Sequence, residues 1–585
     1  MGGIGFMAKA SAKEEIILLL PDDETIPRPR LSKLIIKNFR TIGNTPVEIY
    51  LDDIVVLVGA NNVGKSSILR AYEVAMNTGS KAGYLTIDDF PNNIVDSENL
   101  PEIEVYTIIS ENKPGAQWIK TLPNGEMLIR EKWTWSSPGV EPKRRGFDVD
   151  ANAWVDKVPW GAPNVANAYR PKVHRIDAFA SPETQEAEIT GLLHAIIKDK
   201  FKNITSPGNT SGKTDYEILL EQIKGFQKTV AKAVDEETEN IEKSINKYLE
   251  GVFHNYVISL DAKPESNVEK TYTPFKETPD LFMGPDGGFM SRISAQGSGA
   301  RRTLMWTALK YIAENGDKDG RPHVLLLDEP ELCLHPSAIR DARKTLYDLP
   351  QVGNWQVMVT THSPIFIDLS RDNTTIIRVS RDETDEVKST VLFRPENAKL
   401  SDDDKDNMKL LNVCDPYVHE FFFGGRIVVV EGDTEYTAFS RLKLLYPGEY
   451  DDVHIIRARG KGVIPSIIKI LNQFTSNYGI LHDADTKLTP KGTGNPAWTV
   501  NTKILSEVNN SSDISNTVLI ACKTNFEDAL LNVTVSKDKP YHTLEKMKTD
   551  ISFREKVKSL LDALLDNKID PPEHCIRWQT LDDIE

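Results

Sequence analysis

The segment from Gly59 to Ser66, Gly-Ala-Asn-Asn-Val-Gly-Lys-Ser, places the tightest limits on what this chain can fold into. It follows the apolar run Ile54–Val58 and precedes a helical pattern that begins at Ser67. This is the G-x-x-x-x-G-K-[ST] phosphate loop in its required strand–loop–helix setting, rather than a chance glycine-rich turn. Backbone N–H groups of such a loop converge on phosphate oxygens, and the helix N-terminus adds a positive dipole end. The pattern predicts that the chain binds a nucleoside triphosphate.

Two side chains of this loop have predicted roles. We expect Lys65 to reach the β- and γ-phosphates and Ser66 to hold the Mg²⁺ that accompanies ATP. The other cofactor-binding residues predicted here are Gly59, Asn61, Asn62, Gly64 and Ser67.

Length and composition indicate a globular protein with two to four domains, because 585 residues exceed what one hydrophobic core usually serves. The longest apolar runs are far too short to span a bilayer, and the N-terminus lacks a signal-peptide pattern. The cysteines are scattered without C-x-x-C spacing, which predicts neither a zinc site nor disulfides but a reducing cytoplasm. These cysteines are Cys333, Cys414, Cys522 and Cys575.

The net charge of −16 does not by itself favour binding to nucleic acid. The charge is uneven, however: from Gly424 to the end there are 20 Lys and Arg against 23 Asp and Glu, so −3, which leaves −13 for the first 423 residues. Any contact with DNA must therefore use a local basic patch or metal ions.

Two further motifs extend the nucleotide site. The apolar run Val324–Leu327 delivers Asp328 and Glu329 at a strand end, which suits an Mg²⁺-linked carboxylate and a water-activating base. A second buried strand ends before His362, which is predicted to hydrogen-bond the γ-phosphate.

The loop Ser294–Arg302 opens a helix with small residues, and such a loop is a second anion-binding device. Considered alone, the same loop could equally be a flexible turn with a helix cap. Lys65 and Asp328 are 263 positions apart, so the nucleotide-binding core must contain large insertions.

Together these motifs resemble an ABC-type ATPase of the branch that includes chromosome-condensing and recombination-repair proteins. In that family ATP is held between two heads, and the resemblance implies that Ser298 and Gly299 act across a dimer on nucleotide bound by Lys65 and Ser66. The loop departs from the transporter pattern, because it reads Gln-Gly-Ser-Gly-Ala.

Residues 181–260 show apolar side chains at three- and four-residue spacings, which predict a helical insertion. The insertion is either an ordinary packed helix pair or a projecting hairpin used for dimerisation. The segment 103–154 instead predicts a β-rich lobe over the nucleotide.

Beyond Gly424 the pattern becomes a βαβ series, with predicted strands at 427–430, 454–458, 478–482 and 517–522 and acidic residues at the strand ends. Glu431 follows the strand 427–430, Glu435 lies on the first turn of the next helix, and Asp483 and Asp485 follow the strand 478–482. Carboxylates gathered at one sheet edge repel one another, and divalent cations such as Mg²⁺ or Mn²⁺ relieve that repulsion. The alternative is a flavodoxin-like domain with incidental acidic loops.

This acidic pattern resembles a Toprim domain, and its pairing with an ABC head resembles the overcoming-lysogenization-defect (OLD) family of nucleases. The resemblance implies that Glu431, Glu435 and Asp483 bind one metal, and that Asp485 and Glu527 serve a second. It also implies a lysine that stabilises the transition state, for which Lys539 is the candidate. The turn Gly460–Gly462 is expected at the pocket mouth, where Lys461 contacts phosphate or is an ordinary surface residue.

The predicted fold is therefore α/β, an ABC-type ATPase head with a helical dimerisation insertion, followed by a Rossmann-like Toprim domain. The predicted divisions are 1–30 (extension), 31–180 (first ATPase part with the β-rich lobe), 181–260 (insertion), 261–395 (second ATPase part), 396–423 (linker) and 424–585 (Toprim domain).

The predicted function is an ATP-binding, metal-dependent DNA endonuclease or nickase, with one or two Mg²⁺ or Mn²⁺ ions in the Toprim site and one with ATP. The resemblance also implies a cytoplasmic homodimer or larger homo-oligomer that serves anti-phage defence, with a possible accessory protein or nucleic acid. Topoisomerase and primase are disfavoured, because no DNA-gate domain with a nucleophilic tyrosine and no zinc module is evident. A non-cleaving, ATP-driven DNA clamp or sensor is the remaining alternative.

Overall fold

The fold was obtained as a computed structural model. It describes residues 30–110, 114–177, 180–201, 237–253, 255–261, 280–315, 322–352, 355–415, 418–474, 477–510, 517–531 and 538–585. The predicted extension 1–30 therefore lies outside the described residues except for Arg30, and so does the middle of the predicted helical insertion.

An antiparallel sheet forms one layer of the first part of the chain, which we call the head. The strand order is β2-β1-β4-β6-β7-β8, with β5 paired to β6. Leu31, Leu34 and Ile36 of β1 are fully buried, as expected for a sheet with one face against a core. The strands are β1 (Arg30–Lys37), β2 (Val47–Tyr50), β4 (Glu102–Ile109), β5 (Lys120–Thr121), β6 (Met127–Thr134), β7 (Lys143–Asp148) and β8 (Ala153–Val155).

A second sheet, in the order β16-β15-β3-β14-β13-β9, forms the centre of the head. Its inner strands are parallel and almost wholly buried, and only β16 is antiparallel. Such strands read as continuous apolar runs, because both faces of a parallel sheet are covered. The strands are β3 (Ile54–Val58), β9 (Lys172–Ile176), β13 (His323–Asp328), β14 (Trp355–Thr360), β15 (Thr374–Arg381) and β16 (Val387–Phe393).

A small third sheet joins β10, β11 and β12, and the predicted end of the helical insertion at residue 260 falls inside its first strand. The strands are β10 (Tyr256–Asp261), β11 (Asp280–Pro285) and β12 (Ser291–Arg292). The described helices of the head are α1 (Lys65–Met76), α2 (Pro163–Tyr169), α3 (Pro182–Phe201), α4 (residues 237–249), α5 (Ser298–Asn315) and α6 (Pro336–Val352).

The predicted linker is largely helical, with α7 (Pro395–Ala398) and α8 (Asp402–Cys414). The acidic residues of this segment stabilise the start of α8. The Ser401 side chain caps the helix by accepting from the Asp404 backbone N–H, and acidic residues in the first turn favour the helix dipole.

The C-terminal domain is a five-stranded sheet in the order β18-β17-β19-β20-β21, parallel except for β21. Its strands are β17 (Arg426–Val430), β18 (Val453–Arg457), β19 (Tyr478–Asp483), β20 (Thr517–Cys522) and β21 (Cys575–Arg577). Its helices are α9 (Asp433–Leu445), α10 (Ile464–Leu471), α11 (Pro496–Asn509), α12 (Phe526–Leu531), α13 (Lys539–Thr549) and α14 (Ile551–Leu565). No helix among the described residues combines the length and apolar character needed to cross a membrane.

The head and the C-terminal domain share a hydrophobic core. A single cluster of buried side chains runs from Ile54 in the head sheet to Ile427 in the C-terminal sheet. At the junction, Arg378 donates to the carbonyls of Phe421 and Phe422 at 3.2 and 3.1 Å. The two parts are therefore packed together rather than tethered.

Arg394 forms hydrogen bonds across the same junction. Its guanidinium donates to both carboxylate oxygens of Asp52, at 2.7 and 3.2 Å, and its backbone N–H donates to Gln473 beyond α10 at 3.0 Å. Both charged side chains are buried.

We predict that Arg394→Ala destabilises the protein by about 3–5 kcal/mol, because Asp52 would remain buried without its guanidinium partner. The control is Arg426→Ala, which breaks the half-exposed pair with Asp452 and should cost less than about 1 kcal/mol. Thermal unfolding of both variants measures the difference. Equal decreases in the unfolding temperature of the two variants would contradict the role given to Arg394.

Candidate functional site: two acidic sheet edges

The phosphate loop, the acidic motif and the histidine motif of the head meet because of strand order. The strand β14 pairs with β3 on one side and with β13 on the other, all in parallel. The loops that follow parallel strands lie at one edge of the sheet. The structure thus brings together the loop after β3, the carboxylates after β13 and the histidine after β14.

The phosphate loop turns sharply into α1, and two glycines allow it. Gly59 has φ +144°, and a Cβ atom there would lie 2.1 Å from the Val379 carbonyl oxygen. Gly64 has φ +102°, and a Cβ atom there would lie 2.9 Å from the Thr41 hydroxyl oxygen. A side chain at either position would displace the loop that surrounds the phosphates.

The Lys65 ammonium points into this loop. Its Nζ donates to the carbonyls of Gly59 and Ala60 at 3.0 and 2.8 Å and lies 2.9 Å from His362 Nε2. Burial lowers the pKa of Lys65, although nearby carboxylates oppose the shift. The ammonium is held where phosphate oxygens would replace the loop carbonyls.

Asp328 is fixed by two hydroxyl groups. Its Oδ1 accepts from Ser66 Oγ at 3.0 Å and from Thr360 Oγ1 at 2.6 Å. The guanidinium of Arg175, at the end of β9, lies 3.5 Å from its Oδ2. Ser66 and Asp328 are thus adjacent, as the binding of one Mg²⁺ by both requires.

Glu329 and His362 face each other across the site, with Oε1 and Nε2 3.5 Å apart. Glu329 has φ +42°, a left-handed conformation that is costly for a residue other than glycine and often occurs at functional sites. Burial, and then the neighbouring Lys65 ammonium, lower the pKa of His362 and favour its neutral form.

Glu331 is a site residue that the sequence reasoning missed. Its Oε1 accepts from Thr361 Oγ1 and from the His362 backbone N–H, both at 2.8 Å. Its Oε2 is buried without a hydrogen-bond partner, and burial raises the pKa of this carboxyl group. The sequence signal that could have identified Glu331 was its position two residues after Glu329.

The remaining predicted nucleotide residues lie around this edge. Asn61 and Asn62 are exposed in the phosphate loop, whereas Ser67 is buried in the first turn of α1. Ser298 is exposed at the start of α5, with Gly299 beside the Cys333 carbonyl. An action of these two residues across a dimer stays a prediction.

The second acidic edge lies in the C-terminal domain and arises in the same way. The strand β17 pairs in parallel with β18 and β19, and β19 pairs with β20. Glu431 follows β17, Asp483 ends β19, and Glu527 lies on α12 after β20. The predicted strands of this domain match the observed ones within one residue at each end.

Three of the predicted carboxylates form the centre of this edge. Glu431 Oε2 accepts from the Asp483 backbone N–H at 3.1 Å, and Glu435 accepts from the Gly432 N–H at 3.0 Å. Burial raises the pKa of Glu431, and burial together with the Glu431 and Glu527 carboxylates raises the pKa of Glu435 to about 7. Burial, followed by the neighbouring carboxylates, raises the pKa of Asp483 well above its usual value. Negative charge is concentrated here without full compensation.

Glu527 completes the group. Its side chain is 2% exposed, and its Oε2 accepts from Lys539 Nζ at 3.0 Å. Burial lowers the pKa of Lys539, but the contact with Glu527 outweighs burial, and the net effect raises it. The structure therefore brings together two residues that the sequence connected only through a family resemblance.

Asp485 is paired with a lysine. Its Oδ2 accepts from Lys461 Nζ at 2.7 Å. Lys461 was expected at the pocket mouth, but it is buried beneath the acidic turn. The expectation of a surface lysine was wrong, because the sequence pattern does not reveal on which side of the turn the side chain lies.

The residues fit a hard divalent cation. Asp483 Oδ1 and Glu527 Oε1 are both buried without a hydrogen-bond partner. Carboxylate oxygens are the ligands that Mg²⁺ and Mn²⁺ prefer. Among the described residues, no three His, Cys, Asp or Glu side chains already form a metal cage, so binding requires side-chain rotation.

Two known sequence families match parts of the chain. The AAA ATPase domain matches residues 30–115 and 176–367, which include the phosphate loop, Asp328 and His362. The overcoming lysogenization defect protein-like TOPRIM domain matches residues 422–485, a range that contains Glu431 and Asp483 and ends before Glu527. The predicted class, an α/β ATPase head followed by a Toprim domain, is confirmed.

Two curated nucleases resemble the chain over most of its length. An "Old nuclease" of Escherichia phage P2 is 25% identical over 486 residues, covering 78% of this chain and 77% of the relative. An "OLD nuclease" of Thermus scotoductus is 22% identical over 544 residues, covering 89% and 95%.

Among solved structures, an Smc head bound to the C-terminal winged-helix domain of ScpA aligns with 63% of this chain and 99% of its own, at 17% identity and TM-score 0.38. The SMC head domain from Thermotoga maritima aligns with 62% and 99%, at 13% identity and TM-score 0.31.

We predict that Glu331→Ala slows ATP hydrolysis by about a hundredfold, because the backbone that carries His362 would lose its acceptor. Glu331→Gln should hydrolyse ATP at close to the original rate, since an amide oxygen accepts the same two hydrogen bonds. Steady-state phosphate release measures both. Glu329→Gln is the control and should bind ATP without hydrolysing it. If Glu331→Gln proved as slow as Glu331→Ala, Glu331 would be the base instead.

We predict that Glu435→Gln stabilises the metal-free protein at pH 8 but not at pH 4.5. The folded-state pKa of about 7 lies above the usual 4.5, so stability falls as pH rises between these values and the buried carboxyl ionises. The gain from a neutral amide is at most on the order of 3 kcal/mol. Thermal unfolding in EDTA at both pH values measures it, with the exposed Glu573→Gln as control. Equal stability of Glu435→Gln and the parent at pH 8 would contradict the buried-charge penalty.

Proposed function

Because the chain has the ATPase–Toprim architecture of the overcoming-lysogenization-defect (OLD) family, we propose that it is an ATP-dependent nuclease that hydrolyses DNA phosphodiester bonds with a divalent metal. The observation that supports this proposal best is the pair of buried, unpartnered carboxylate oxygens on Asp483 and Glu527. Buried polar atoms are normally hydrogen-bonded, so two buried carboxylate oxygens without such partners, among clustered acids, are suited to bind a divalent cation.

Glu431, Glu435, Asp483, Asp485 and Glu527 would hold Mg²⁺ or Mn²⁺ at the carboxyl edge of the C-terminal sheet. A bound divalent ion supplies an activated water and stabilises the leaving oxygen. The Lys539 ammonium, 3.0 Å from Glu527, would stabilise negative charge that develops on the phosphate.

The head would use ATP to control access to this site. Lys65 and His362 would contact the β- and γ-phosphates, Ser66 and Asp328 would share one Mg²⁺, and Glu329 would orient the attacking water. The shared core and the Arg394 junction give a rigid connection through which a change in the head would reach the C-terminal domain.

We further propose that the protein works in the cytoplasm as a homodimer or larger homo-oligomer and acts as an anti-phage effector. The supporting observations are its resemblance to the nuclease of phage P2 and the exposed Ser298 at the start of α5. Plating of phage on cells that carry the gene, or its Glu431→Ala variant, tests the defence role. Equal plaque numbers with the parent gene and the variant would contradict the defence role.

We predict that the purified protein converts supercoiled plasmid to nicked or linear DNA in Mg²⁺ or Mn²⁺. Glu431→Ala should cut more than about tenfold more slowly, because a metal-site carboxylate is lost. Agarose gels of the time course measure the rate. The same variant should retain ATP hydrolysis, which shows that it is folded.

Equal cutting by both proteins would overturn the site assignment. Rapid ATP hydrolysis without any cutting by the parent protein would favour the non-cleaving clamp instead.

A further inference from the structure

Arg175 lies among three carboxylates at the nucleotide-binding edge of the head. The strand β9 pairs in parallel with β13, so the end of β9 lies beside Asp328. The Arg175 guanidinium is 3.3 Å from Asp177 Oδ2, in the residue that follows β9. It is also 3.5 Å from Asp328 Oδ2 and 3.5 Å from Glu73 Oε2, which belongs to α1. One mostly buried cation is therefore shared among three elements of the ATPase site.

None of these three contacts holds the guanidinium tightly. Strong pairs between a guanidinium and a carboxylate have N–O distances of about 2.7–2.9 Å. All three distances at Arg175 are longer, and its Nη1 is buried without a hydrogen-bond partner. Arg175 can therefore exchange one carboxylate partner for another without breaking a strong hydrogen bond.

A second group of buried charges lies next to Asp177. Arg302 on α5 donates from Nη2 to the Asp177 carbonyl at 2.9 Å, and its Nη1 is buried without a hydrogen-bond partner. Glu188 on α3 has a buried Oε2 that also lacks such a partner. Burial, followed by the charge of Asp177, raises the pKa of Glu188 to about 7, and the charges of Arg302 and Arg175 oppose this rise. Glu188 thus has an acceptor without a hydrogen bond, close enough for the Arg175 charge to act on it.

The helices α3 and α5 are joined to each other beside this group. Arg301 Nε donates to Gln185 Oε1 at 2.7 Å. The Ser294 backbone N–H donates to Glu186 Oε2 at 3.0 Å. These contacts connect the start of α3, where the described part of the helical insertion begins, to α5 and the loop before it. A shift of charge beside Asp177 therefore acts on both helices.

The Mg²⁺ that accompanies ATP would compete with Arg175 for Asp328. A divalent ion at this carboxylate repels a guanidinium that lies 3.5 Å from it. Glu73 already accepts from Arg70 at 3.0 Å, so it is a poorer destination for the guanidinium. The better destination is on the side of Asp177, where a buried carboxylate oxygen lacks a partner.

We propose that Arg175 is a positioning residue of the ATPase site, which pairs with Asp328 until Mg²⁺ and ATP bind and then moves onto Asp177 and Glu188. The movement connects the occupied nucleotide site to the start of α3 and the start of α5. This inference rests on the ATP-binding role of the head and does not depend on the nuclease centre.

The experiment measures the Kd of ATP for the full-length protein by isothermal titration calorimetry at pH 8, once with Mg²⁺ and once with EDTA. All proteins carry Glu329→Gln, so that ATP is bound without hydrolysis. In Arg175→Met the cation that competes with Mg²⁺ is absent, so ATP with Mg²⁺ should bind about tenfold more tightly, whereas ATP in EDTA should not. Arg70→Met is the matched control, because Arg70 pairs with Glu73 and Asp89 instead, and it should leave both Kd values unchanged.

Two results with Arg175→Met would overturn the proposal. An unchanged Kd with Mg²⁺ would show that Arg175 does not compete with the ion for Asp328. Weaker binding both with Mg²⁺ and in EDTA would show that the guanidinium binds a phosphate of ATP directly. A parent protein that binds no ATP would instead refute the ATP-binding role of the head, and the proposal with it.

Glu188→Gln tests the destination of the guanidinium. With this carboxylate neutralised, Arg175 stays with Asp328, and ATP with Mg²⁺ should bind about fivefold more weakly. The double variant with Arg175→Met should bind as tightly as Arg175→Met alone, because the effects of interacting residues are not additive. An unchanged or smaller Kd in Glu188→Gln, or equal weakening with and without Arg175, would contradict the proposal. If Arg175→Met does not fold, the Glu188→Gln result decides.

Amide hydrogen exchange tests the connection to α3. Mg²⁺ and ATP should slow exchange in residues 182–190 of the Glu329→Gln protein, and this slowing should be lost in Arg175→Met. Slowing of equal size in both proteins would show that α3 responds to nucleotide without Arg175, which would overturn this part of the proposal.

Discussion

The convergence of parallel strands at their carboxyl ends is the constraint on which this structure depends. In the head it places the phosphate loop, Asp328 and His362 at one edge, although nearly 300 residues separate the first from the last. In the C-terminal domain it gathers carboxylates that repel one another. Each edge is stable only with counter-charge, which comes from Lys65 in one and from Lys461 and Lys539 in the other.

The sequence was informative wherever a buried strand ends in a polar motif. The strands β17 to β20 were predicted within one residue at each end, because strands covered on both faces are continuous apolar runs. The same rule located Asp328, Glu431 and Asp483, since each directly follows or ends such a run. The motifs therefore carried both the fold class and the centre of each candidate site.

The sequence was uninformative where an outcome depends on the direction of one side chain. The predicted linker contains α8, whose acidic first turn is capped by Ser401. Lys461 is buried although a surface position was one of its two expected settings, and the sequence reasoning missed Glu331, which holds the backbone of His362. Arg175 approaches Asp328 from a distant strand, which no local pattern could reveal. These contacts join segments that are far apart in the chain.

The core shared by the head and the C-terminal domain has a practical consequence. Phe421, Phe422 and Phe474 pack against one another at the junction, with ring centroids 4.6 to 5.7 Å apart. If the chain were divided near residue 424, each of the two fragments would expose its part of this aromatic cluster to water. Exposed apolar patches of that kind promote aggregation. The C-terminal domain is therefore expected to aggregate when it is expressed alone, and a fragment for biochemical work should keep the segment from Pro395 onward.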